Sequence, residues 1–155
     1  MTGAGIQAIG DLFAEPGTSR TVLEAQVPYA RMALDEFVGI RASQHVSPEE
    51  ALLIAESALK RARHLADPSD AGQPLFGVGC TAAVATDRIR RGEDRAHIAW
   101  TNGAESGGTS IWFDKETRTR AQQDAIVSAI VLNAIARAIE VDGRLEIAVN
   151  DAERI

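Results

Sequence analysis

The chain is short of several things, and each shortage removes a class of protein. Its 155 residues hold a single cysteine, Cys80, so no intrachain disulfide can staple the fold. One unpaired thiol suits a reducing compartment, and the expected location is the cytoplasm. No apolar run approaches the ~20 residues that a membrane-crossing helix needs, which removes a membrane protein from the expectation. Met1 leads into Thr-Gly-Ala-Gly rather than a basic stretch followed by an apolar core, so no secretory signal is expected. The three histidines, His45, His64 and His97, show no metal-ligand spacing with Cys80 or with one another. Basic residues are outnumbered, 16 against 22 acidic ones, for a net charge of -6. That balance argues against a nucleic-acid partner. There is no internal repeat and no low-complexity segment.

What is present is the composition of a folded domain, 45% hydrophobic and 25% charged. The length suits one domain, 1–155, with a real core. In 5–14 Ile6, Ile9, Leu12 and Phe13 recur at helical spacing, and Pro16-Gly17 ends the segment. The alternating run RTVLEAQVPY, 20–29, predicts a strand with Pro28 at its end. A short helix is predicted over 30–38, stopped by Gly39. The clearest helix is 47–66. Ser47 stands as its cap, Pro48 takes the first helical position, and Glu50 stands at capping-box spacing.

Strands are predicted at 75–80, 95–101 and 109–114. The flexible stretch NGAESGG, 102–108, joins the last two into a hairpin. A long helix follows over 120–140, with Ile126, Ile130, Val131, Ala134, Ile135 and Ala138 on one stripe. The tail 143–155 leaves two readings open, an edge strand or a loose end. Helices interleaved with strands predict a two- or three-layer α/β domain, and the hairpin predicts a mixed sheet.

Several residues could carry chemistry. In TGAGIQAIG, 2–10, Gly3 and Gly5 stand just before a helix, where backbone N–H groups can face an anion. A plain glycine-rich start to a helix explains the same residues equally well. Gly79, Cys80 and Thr81 lie in a small-residue strand end with room for a ligand or for a packed helix. Cys80 is more commonly a buried hydrophobe than a nucleophile. Arg88, Arg90, Arg91 and Arg95 crowd one stretch, which is usually a solvated face but also suits phosphate. Arg118 and Arg120 stand at the start of the last helix, where cations oppose the dipole. A ligand contact would account for them. Tyr29 is the only tyrosine.

The order of TGAG, PGTSRTVLEAQVPYA (16–30), SPEEA (47–51), GVGCTAAVATDRIRRGEDRAHIA (77–99) and RTRAQQDAIV (118–127) resembles the CinA C-terminal domain family, in a divergent branch. The resemblance covers nearly the whole chain and rests on the order and spacing of the motifs. That family includes nicotinamide mononucleotide deamidases. The resemblance implies a three-layer α/β/α domain with a mixed sheet, often a homo-oligomer. It also implies a nucleotide ligand, no cofactor, and hydrolysis of a carboxamide to an acid and ammonia.

In active members an E-S-C-T-G-G turn carries the serine nucleophile and V-T-Y-S-x-x-x-K carries a tyrosine and a lysine. An arginine before the last helix contacts phosphate. Carried over, Thr2 falls at the serine, although a one-residue shift leaves no hydroxyl there. Gly3 and Gly5 fall in the cradle, Tyr29 at the tyrosine, and Arg118 or Arg120 at the phosphate contact. The lysine has no counterpart, since Arg31 and Asp35 occupy its region. An arginine stays protonated and cannot serve as a base. The stretch 79–83 lacks the family's proline. The resemblance therefore implies either an amidase built on Thr2 and Tyr29 or a binding module that has kept the cradle without the chemistry. An oligomeric interaction domain that binds no ligand is a third reading.

Overall fold

Gly5, in the left-handed region at φ 85°, turns the chain into the first helix, α1, Ile6–Ala14. The computed structural model describes residues 1–88 and 90–155. A 3-10 turn at Thr18–Arg20 leads into an extended segment and then α2, Arg31–Val38, which Gly39 ends in the left-handed conformation as expected. The segment 20–29 is not the predicted strand. It enters no ladder among the described residues and crosses to α3, Pro48–Leu65, where Glu24 pairs with Arg61. Its alternation is real, but the place beside the first strand, Gly77–Ala83, goes to Thr2, and the segment's main chain meets the amino terminus, where Gln26 O accepts from the Met1 amino group at 2.8 Å.

Ser47 caps α3 by accepting the Glu50 N–H at 3.1 Å. The returning half of the capping box does not form, because the Glu50 side chain is buried beside His45 instead.

Three strands follow: β1, Gly77–Ala83, β2, Asp94–Thr101, and β3, Ser106–Phe113. They pair in the order β1-β2-β3, and both pairings are antiparallel. The mixed sheet expected from the sequence is thus not what these strands make. The parallel contact present is an isolated bridge between Thr2 and Thr81. The hairpin turn is tighter than predicted. The Asn102 side chain accepts the N–H groups of Ala104 and Glu105, so the strand resumes at Ser106 and takes in Gly107 and Gly108. A 19-residue helix, α4, Arg120–Ala138, closes the domain, started by a capping box between Thr119 and Gln122. The tail returns to β3 through a bridge between Arg154 and Trp112.

Neighbouring strand residues face opposite ways, and the sequence uses both faces. Cys80, Ala82, Ile98 and Ile111 pack with Val127, Ile130 and Val131 of α4 and with Ala8 of α1. On the other face α3 lies directly on the β1 backbone. A Cβ on Gly79 would stand 2.1 Å from the Ala51 carbonyl oxygen, and one on Gly77 2.0 Å from that of Ala55. Ala51 and Ala55 are fully buried there. The glycines of β1 therefore admit a helix at backbone distance. Among the described residues no helix is long and apolar enough to cross a membrane.

Candidate functional site

Thr2 docks on the end of β1 by main chain. Its N–H donates to Cys80 O at 2.9 Å, and its carbonyl accepts from Ala82 N at 3.0 Å. The chain then turns through Gly3, at φ 86°, and any side chain there would strike the Ala82 carbonyl. The amino end of α1 is next, and it already holds an anion. Asp124, from the second turn of α4, accepts Gly5 N–H at 2.8 Å, Ile6 N–H at 3.3 Å and Gln7 N–H at 3.4 Å. A carboxylate of the chain itself sits where free amides would have met a phosphate.

One turn earlier on α4, Arg120 gathers the site. It donates to Ala85 O at 3.0 Å, to Gly3 O at 3.1 Å and to Tyr29 Oη at 3.4 Å. These contacts take three of the five N–H donors of a guanidinium. Tyr29 is 66% exposed, so its phenol stands at the surface. Beneath the loop, Gln123 is fully buried. It accepts Ala85 N–H at 2.6 Å and donates to Asp94 at 3.1 Å, which fixes the chain after β1.

The other sequence-predicted residues lie elsewhere. Arg118 forms a bidentate pair with Glu153, at 2.9 and 2.8 Å, and donates to Ala148 O at 3.0 Å, fastening the tail. This pairing holds the Glu153 carboxyl below its ordinary range. Cys80 is fully buried on the α4 face, and burial pushes its thiol up to about 12. Such a thiol is not a nucleophile at neutral pH. Gly79 faces α3. Thr81 is buried and donates its hydroxyl to His45 O. In the arginine stretch, Arg90 serves Val84 O and Asp94, and Arg95 reaches Val46 O. His97 is 3% exposed and bonded to Ser110 at 2.7 Å. Burial, and then Arg95, lower its pKa, which keeps the ring neutral.

Thr2, Gly3, Tyr29 and Arg120 are thus brought to the carboxyl end of β1, whereas Arg118, Cys80 and Gly79 do other work. Sequence reasoning did not find Asp124, Gln123 or the group formed by Asp35, His45 and Glu50. His45 Nδ1 lies 3.8 Å from Asp35 and 3.9 Å from Glu50. Nothing local marks Asp124, whose contacts are 117 to 119 residues away in sequence. Two surface clefts, of about 620 and 290 Å³, lie at the far end of α4 around Trp100, Arg137 and Arg144, away from this cluster. Compared with known proteins, the chain matches no family model, no curated protein and no solved structure.

Proposed function

We propose that the chain is a nicotinamide-nucleotide amidase-like protein of the CinA C-terminal type, working as a cytoplasmic homo-oligomer. The convergence of Gly3, Tyr29 and Arg120 on one corner carries this reading. Arg120 keeps two N–H donors for the phosphate of the ligand, and Tyr29 stands beside it to orient the nucleotide. Thr2 supplies the hydroxyl for attack on the carboxamide. Residues of α3 on one sheet face and of α4 and α1 on the other support a three-layer α/β/α arrangement. The parallel bridge at Thr2 is its trace of a mixed sheet.

Titration calorimetry with nicotinamide mononucleotide, run beside an assay of ammonia release, tests the proposal. Arg120→Ala is expected to weaken binding at least tenfold, and Arg118→Ala to leave it within about twofold. Equal binding by wild type and Arg120→Ala would sink it.

A second reading has its own observation. Asp124 fills the α1 amide site, and no lysine follows Tyr29 in the sequence at the family's spacing, as suits a module that binds a phosphorylated metabolite without turnover. Binding with no ammonia release selects it.

A further inference from the structure

Three polar groups meet between α2, α3 and the loop that joins them, and their geometry is unfinished. Glu50 is 2% exposed, and among the described residues its Oε1 has no hydrogen-bond partner; neither does the buried Nδ1 of His45. Their separation of 3.9 Å, and that of 3.8 Å from His45 to Asp35, exceed a hydrogen bond by little more than half an ångström. A buried polar atom left unpaired costs about 1–3 kcal/mol, so its retention calls for a reason. The main chain ties this group to Thr2. His45 O accepts the Thr81 hydroxyl, and Thr81 is the residue bridged to Thr2. Paired residues share a face of a ladder and successive residues alternate. Thr2 therefore stands on the Thr81 side of the sheet, opposite the Cys80 side.

We infer that His45, held between Asp35 and Glu50, is the proton acceptor for Thr2, in the role that the absent lysine would have filled. The inference rests on the amidase reading above. The contacts of 3.8 and 3.9 Å do not lock the ring between the two carboxylates, and catalytic hydrogen bonds commonly form at full strength only in the complex. Asp35 and Glu50 are positioning residues. They orient the ring and stabilise the imidazolium as it forms. The titratable groups on the elements packed around it are Asp35 on α2, Glu49 and Glu50 on α3, and Arg95 and His97 on β2. Burial raises the pKa of Glu50 and a charge on His45 opposes that rise, so the carboxylate is favoured as the imidazolium forms.

In the step, the Thr2 O–H proton passes to the imidazole while Oγ1 bonds to the carboxamide carbon, and the carbonyl π pair moves to oxygen. Collapse breaks the C–N bond, and the departing amine takes the proton from the imidazolium and leaves as ammonia. Water repeats the sequence on the ester, releasing the acid and restoring Thr2 and neutral His45.

The test follows ammonia release from nicotinamide mononucleotide against pH, with calorimetry on the same proteins. His45→Gln is expected to bind the nucleotide within about twofold of wild type while kcat falls about 10²–10⁴-fold, with the acid limb of the pH profile lost. Glu50→Gln is expected to lower kcat about tenfold and displace that limb. Added imidazole is expected to restore turnover to His45→Ala, which a merely structural histidine would not allow. His45→Gln within threefold of wild-type kcat overturns the inference. So does nucleotide binding by wild type without turnover, which leaves the binding-module reading standing. No binding at all, read by calorimetry, removes the nucleotide reading and this inference with it.

Discussion

Asp124→Ala removes the carboxylate that closes the amino end of α1. Three N–H groups lose their acceptor, at 2.8, 3.3 and 3.4 Å. Losing a side-chain cap costs about 1 kcal/mol, up to ~2. Losing a negative charge at a helix amino end adds about 0.3–1 kcal/mol. Ile6 and Gln7 are exposed, so water replaces part of what is lost there, whereas Gly5 is buried. The sum is about 2 kcal/mol. For a domain of this length that lowers Tm by about 4–8 °C, and it moves the urea midpoint by about 1 M. Asp124→Asn keeps an acceptor and loses only charge, so about half the effect is expected. The vacated amides, one helical turn from Arg120, should then take an external anion. Phosphate or sulfate is expected to restore stability to Asp124→Ala in proportion to the logarithm of its concentration, and chloride at equal ionic strength is not. Urea unfolding of Asp124→Ala within about 0.3 kcal/mol of wild type refutes the reasoning, because the carboxylate would then be an incidental neighbour.

Gly79→Ala places a Cβ 2.1 Å from Ala51 O and 2.6 Å from Ala55 N, so α3 must move off the sheet. A loss of about 3 kcal/mol in urea unfolding is expected. Gly10 in α1 has open space instead, and Gly10→Ala should gain about 0.5–1 kcal/mol in the same measurement. Cys80 should resist a thiol reagent in the native protein and react fully in denaturant. Prompt labelling under native conditions would contradict its burial and raised pKa. Glu153→Gln breaks the pair with Arg118, which is partly open to solvent, and about 1–2 kcal/mol is expected at pH 7. The folded pKa of Glu153 lies below its unfolded value, so its contribution is complete above the ordinary carboxyl range and is lost as pH falls through the folded value. The difference between variant and wild type in urea should therefore shrink between pH 7 and pH 3.

Elements with chemical punctuation were legible in the sequence. Ser47-Pro48 opened α3, Gly39 closed α2, and the apolar stripe of 120–140 became α4. Alternation alone misled. The segment 20–29 carries a strand pattern, but a strand needs a neighbour, and the place beside β1 goes to Thr2. The reverse error fell on 106–108, where glycines read as turn. A Cβ on Gly107 would meet the Trp100 indole at 2.8 Å, so glycine, a poor strand former, is required there by the cross-strand partner. Gly3 could be picked out by local chemistry, and Tyr29 by the resemblance of its VPYA run. The choice between Arg118 and Arg120 could not, because it depends on where the helix begins. Thr119 is the cap, so Arg118 lies outside the helix and turns to the tail, while Arg120 is its first residue and faces the end of β1.

Two cations at the start of α4 oppose its dipole, and a ligand offered one way to account for them. The structure divides that explanation between them. Glu153 answers Arg118 completely, which leaves no charge for a ligand to neutralise. Among the described residues the hydrogen-bond partners of Arg120 are neutral, two carbonyls and a phenol. These dipoles orient the guanidinium but do not cancel its charge. That retained charge, at a corner where Thr2, Tyr29 and the chain after β1 converge, is what the proposed anion would neutralise. The same contacts couple ligand and fold. Under the proposed reading, an anion that fixes the guanidinium in one place also fixes the Gly3 and Ala85 carbonyls bonded to it, so binding is expected to order the glycine turn as well as fill the site.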